Sequence, residues 1–61
     1  MSNYSNYGAK ARKIMLKKGI TITALAQQIG ISASYMSEIL KGTRTGKKYI
    51  SRINEILEIG V

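Results

Sequence analysis

Cysteine, histidine, tryptophan, aspartate and proline are all absent from this 61-residue chain, and each absence excludes something. Without cysteine there is no disulfide and no thiolate nucleophile. Without histidine as well, the usual zinc ligands and the commonest general base are gone. The acids are Glu38, Glu55 and Glu58 alone, too scattered for an acid–base pair or a metal cage. An enzyme is therefore not expected, and neither a cofactor nor a small-molecule substrate is assigned. No apolar run approaches the ~20 residues of a membrane span, and no signal-peptide pattern is visible. A membrane partner is not expected, and a cytoplasmic location is. A chain this short, without crosslinks or metal, must depend on helix packing or on a second copy of itself.

Positive charge is what the chain has in excess. Ten Lys and Arg face three Glu, giving +7, a balance that suits a polyanionic partner. The hydrophobic share of 44% is enough for one small core.

Periodicity divides the chain into helices, with nothing that reads as a strand. Residues 1–5 are polar and aperiodic and read as a flexible arm, leaving 6–61 as the domain. A first helix is expected from Asn6 to Lys18, with Tyr7, Ala11, Ile14 and Met15 on its apolar side and Gly19 ending it. Thr21, with Thr23 as the alternative, reads as the cap of a second helix over Ile22 to Ile29, stopped by Gly30. Ser32 reads as the cap of a third, whose apolar set is Tyr35, Met36, Ile39 and Leu40, and Gly42 ends it. A basic loop, Thr43 to Lys48, precedes a fourth helix from about Lys48 to Glu58 with Ile50, Ile53 and Leu57 in register. Four short helices with short connections predict an all-α, compact four-helix domain.

Leu25 to Gly42, LAQQIGISASYMSEILKG, is the informative stretch. Two amphipathic helices flank a turn of about three residues containing a glycine, which is the helix-turn-helix layout. Ala26 is small where the helices must cross closely. Gly30 sits where the turn calls for positive φ. Ile31, Met36 and Ile39 clamp the second helix of the pair onto the first. An ordinary helical bundle shares this apolar spacing; the basic excess and the polar surface of the third helix favour DNA binding.

Ala26, Gly30, Ile31, Met36 and Ile39 fall in a register that resembles the lambda-repressor-like, Cro-type helix-turn-helix (XRE) family. The resemblance reaches back to Lys18-Gly19 and forward through Leu40-Lys41-Gly42 to Ile59-Gly60-Val61. It implies a duplex DNA-binding protein that lays its third helix in the major groove. The positions that face base edges in the family hold Ser32, Ala33, Ser34, Ser37 and Glu38 here. Serine hydroxyls tolerate several bases, Ala33 suits a thymine methyl, and Glu38 can accept from cytosine N4. Ser32 also fits as the helix cap, and Glu38 as a solvated acid.

The family grips phosphates around the following loop, where this chain has Lys41, Arg44, Lys47 and Lys48 with Thr43, Thr45 and the Gly46 amide. A second-helix amide is also expected at a phosphate. One position departs from the pattern: the first residue of the second helix, often Gln in the family, is Ile22, which removes a familiar clamp. Lys10, Arg12, Lys13 and Lys17 extend the positive field.

The fourth helix is apolar over too wide an arc for a terminal surface helix, because Ile56, Ile59 and Val61 lie outside its main stripe. Either Ile59 and Val61 fold back onto the core, or two copies pair there as a weak homodimer on a two-fold symmetric operator; the second is the expectation. The function read from the sequence is that of a small transcriptional regulator, a Cro-type repressor acting by promoter occlusion. An architectural or excision factor for a recombinase and a helical protein-interaction module such as an antirepressor are the alternatives.

Overall fold

The computed structural model describes residues 4–60, whose element order is α1 Asn6–Lys18, α2 Ile22–Ile29, α3 Ala33–Lys41 and α4 Lys47–Leu57. Each of the first three helices starts at a hydroxyl that accepts a first-turn amide. Ser5 Oγ takes Gly8 N at 3.0 Å, Thr21 Oγ1 takes Ala24 N at 3.0 Å, and Ser32 Oγ takes Tyr35 N at 3.1 Å. Such a cap is worth about 1 kcal/mol. Gly19, Gly30 and Gly42 end the same three helices in the left-handed region. The fourth helix differs at both ends. Gly46 precedes it without a side-chain cap, and Glu58 ends it at a φ of 58°. Glu58 is the sole non-glycine residue with positive φ among the described residues.

The core takes residues from every helix. Ala11 and Met15 come from α1, Leu25 and Ala26 from α2, Met36, Ile39 and Leu40 from α3, and Ile53 and Leu57 from α4. A fully buried Leu, Ile or Met contributes roughly 1.5–3 kcal/mol before the entropy of ordering is counted. No polar or charged residue is buried with them among the described residues. The α3 helix packs against α1 and α2, while α4 packs against the same two from another side. Ala26 on α2 is almost wholly buried, in keeping with its small size.

Of the five residues expected to form a flexible arm, the two that are described, Tyr4 and Ser5, are held against the domain. Met1 to Asn3 lie outside the described residues. Tyr4, however, packs against the core, and Ser5 is tied to the far end of the domain. Its amide and its hydroxyl both donate to the Leu40 carbonyl, at 3.0 and 3.1 Å. The physical reason is reciprocal. Helix α1 needs an acceptor for its first turn, and α3 needs donors for its last carbonyls. Gly8 makes the approach achievable, since a Cβ there would overlap the Leu40 carbonyl.

Gly8 and Gly30 should therefore fail differently. At Gly30 there is open space for a Cβ, so Gly30→Ala meets only the unfavourable φ of 92°, about 1 kcal/mol. Gly8→Ala must push two helices apart, which costs about 2 kcal/mol or more. Circular dichroism melts should place Gly30→Ala about 4–8 °C below wild type and Gly8→Ala at least twice as far down. Equal melting of the two variants would show that α1 and α3 are not in tight contact.

Candidate nucleic-acid interface

Helix α3 is presented outward by the turn that precedes it. The Gly30 amide at 2.8 Å and the Ile31 amide at 3.0 Å both donate to the Ala26 carbonyl. With Gly30 at φ 92° the chain leaves α2 sharply, and Ser32 caps the next helix at once. Positive φ at Gly30 is thus observed where the turn was expected to need it. At about 100° per residue, Ala33, Ser34, Ser37, Glu38 and Lys41 fall within an arc of about 140°. Ile39 and Met36 lie on the far side and Leu40 just beyond the Ala33 edge of the arc, all three buried in the core. Ser32, Ala33 and Ser34 are exposed, and Ser37 and Glu38 are half-buried. Helical geometry gathers the expected base-facing residues, with Ser32 committed to its capping bond as well.

The loop after α3 is built on a single carbonyl. Glu38 O accepts from Gly42 N at 3.0 Å, Thr43 N at 3.1 Å, Arg44 N at 3.3 Å and Thr43 Oγ1 at 3.2 Å. Both donors of Thr43 therefore face inward and shape the turn. Lys41, Arg44, Thr45, Lys47 and Lys48 are exposed around it. Gly46 is buried against Ile39, where a Cβ would crowd that side chain, so α4 begins tightly under the end of α3. At the start of α2, Thr21 satisfies Ala24 N, leaving the amides of Ile22 and Thr23 as first-turn donors without an intrahelical acceptor.

Two aromatic rings connect the loop to α4: Tyr35, expected only as part of the apolar stripe of α3, and Tyr49, to which the sequence assigned no role. The Arg44 guanidinium carbon stands 5.2 Å from the Tyr35 ring centre. Tyr35 meets Tyr49 edge-on, with centroids 5.7 Å apart and planes at 83°. Lys48 Nζ lies 5.8 Å from the Tyr49 ring centre. The one available signal was chemical: tyrosine in a core register carries a polar tip and prefers the rim of a core to its centre.

The acids are mostly paired. Arg44 Nε donates to Glu38 Oε1 at 3.2 Å, and Lys18 Nζ to Glu58 Oε1 at 3.3 Å. Both pairs are substantially exposed, so they contribute little to stability. Tyr7 is half-buried on the α1–α4 side, where its hydroxyl donates to Asn54 Oδ1 at 2.6 Å and burial raises its pKa above the ordinary tyrosine value. That contact joins helices and has no part in the basic face. Among the described residues there is no cluster of three or more potential metal ligands, and no helix is long and apolar enough to cross a membrane.

This arrangement coincides with a known family. A model of the Cro/C1-type HTH DNA-binding domain matches residues 10–60. The chain belongs to that family. Searches of curated proteins and of solved structures find no match to it. Membership in the Cro/C1-type family makes this an all-α helix-turn-helix DNA-binding domain.

An electrostatic interface has a direct signature. With three or four phosphates neutralised by the loop cations, the log–log dependence of duplex affinity on salt should have a slope of about −3 or steeper per protomer. Lys47→Ala should flatten that slope by about one unit and weaken specific and non-specific DNA alike. Tight binding with a slope near zero, measured by fluorescence anisotropy titrations, would rule this face out as a phosphate-binding surface.

Proposed function

We propose that the protein is a sequence-specific transcriptional repressor that occludes a promoter by seating α3 in the major groove of its operator. The observation that carries this reading is the position of the α3 arc, small and polar, beside a cluster of exposed cations in the Cro/C1 register. Ala33, Ser34 and Ser37 face base edges, with Ser32 at the start of the helix and Glu38 at the edge of the arc. Lys41, Arg44, Thr45, Lys47 and Lys48 bind phosphates, and Thr43 contributes through the turn it holds. The charge of +7 steers the domain to DNA and supplies most of its affinity.

Two copies bind a two-fold symmetric operator, pairing weakly through α4 and the residues after it. Ile56 and Ile59 are only half-buried against the core, so each retains apolar surface for a partner. Val61, the third residue assigned to this surface, lies outside the described residues. The turn at Glu58 bends the chain back, with Ile59 N donating to Asn54 O at 2.9 Å. Ile59 thus serves the core in part and the pairing surface with what remains.

Selection of bound sites from random duplex DNA should return an inverted repeat with half-sites one helical turn apart, about 10 base pairs centre to centre. Ser34→Ala should change the preferred base at one position of each half-site, by up to ~1–3 kcal/mol of discrimination. Ile56→Lys should leave half-site binding intact and abolish cooperative binding to the full site, as read by gel-shift titration. A reporter whose promoter overlaps the selected site should be silenced. Recovery of no consensus at all would overturn sequence-specific recognition.

A further inference from the structure

Resting on the DNA-binding reading above, we infer that Glu38 and Tyr35 are positioning residues for Arg44, holding its guanidinium as a ready-made fork for a phosphate of the DNA backbone. Three contacts fix Arg44 from different directions. Its amide donates to the Glu38 carbonyl at 3.3 Å, its Nε donates to the Glu38 carboxylate at 3.2 Å, and its guanidinium lies over the Tyr35 ring at 5.2 Å. One residue, Glu38, thus anchors both the backbone and the side chain of Arg44. Tyr35 is itself braced edge-on by Tyr49.

The chemistry of what remains is specific. With Nε committed to Glu38, the two Nη nitrogens are left as a planar pair of donors, and the Arg44 side chain makes no other hydrogen bond or ion pair among the described residues. Such an edge matches two oxygens of a phosphate. Its side chain is 56% exposed, so the fork is accessible. An arginine on a free stem loses rotamer freedom when it binds, whereas this one is restrained beforehand, which is the ordinary source of gain from pre-organisation.

This assignment also accounts for an acid on a surface that meets phosphates. Acting alone, Glu38 would repel DNA. Acting as a base reader, it would have to serve a cytosine while still bound to Arg44. As the support of Arg44 it needs to break nothing, and the arginine cancels its charge locally.

The test is the sign of one substitution in two backgrounds, read as duplex affinity at fixed salt on the selected site. In the wild-type background Glu38→Ala should weaken binding by about 2- to 10-fold, although it removes a negative charge. In an Arg44→Ala background the same change should leave binding equal or tighter, because only the repulsion is left to lose. Glu38→Gln, which keeps an acceptor for Nε, should lie closer to wild type, and Tyr35→Phe should bind normally while Tyr35→Leu does not. Site selection with Glu38→Ala should return the wild-type consensus. A methylphosphonate at the contacted phosphate should cost wild type more than it costs Arg44→Ala, whereas 7-deazaguanine should affect both equally. Tighter binding by Glu38→Ala in the wild-type background, or a changed consensus in both backgrounds, would overturn the inference. A wild-type protein that bound no duplex would instead overturn the DNA-binding reading itself. Melting temperatures within a few degrees of wild type exclude unfolding as the cause.

Discussion

The Leu40 carbonyl, with the Ser5 amide and hydroxyl both donating to it, fixes the frame on which the placement of α3 depends. Helix α3 has only nine residues, too few to be stable alone in water. Its orientation must be imposed from outside. One flank is set by α2 through the turn at Gly30. The other is set by α1, whose start is pinned to the end of α3 by these two bonds. Gly8 lets the backbones meet without an intervening side chain. A helix held at both flanks can carry its exposed arc as a rigid surface, which is what a groove-reading element needs.

The end of α3 does a second job. Its last carbonyls would otherwise be orphaned. Glu38 O collects the donors of Gly42, Thr43 and Arg44, while Leu40 O collects those of Ser5. The basic loop is therefore continuous, bond by bond, with α3. Cations that follow such a turn keep a fixed place relative to the α3 arc. Phosphate contacts made from it can set the register of the helix in the groove, the role backbone contacts serve in sequence-specific recognition.

Much of this was legible in the residues, because local chemistry decides it. Thr21 and Ser32 cap, and Gly19, Gly30 and Gly42 stop, for reasons that operate within one turn of helix; α1 and α2 carry the expected boundaries and α4 starts one residue early, at Lys47. What escaped were contacts between residues far apart in sequence. Ser5 looks like part of a polar arm until Leu40 is beside it. Gly8 within a helix reads as a weak position, since its close approach becomes visible only against α3. Glu58 was placed as the last residue of the fourth helix and instead turns left-handed, so that Ile59 can return to the core. Of the interface, the α3 arc follows from helical spacing. The Glu38–Arg44–Tyr35 association does not, because a loop's side-chain directions depend on how the loop closes.

On the proposed reading, affinity and specificity come from different parts of the surface. There the loop cations are the source of binding that is strong and indifferent to sequence. Besides Glu38 and Lys41 the α3 arc holds only serine and alanine, and none of the Arg, Asn or Gln side chains that make bidentate base contacts worth about 1–3 kcal/mol each. A specific site is typically favoured over random DNA by about 4–10 kcal/mol. One α3 with such a sparse set falls short of that range by direct contact alone. Doubling the reader on a two-fold operator adds the contributions of two half-sites. DNA deformability can add discrimination at positions no side chain touches, because a firmly held domain makes the duplex do the bending. A rigid, strongly cationic, weakly base-specific reader is therefore best matched to a paired site whose shape suits it.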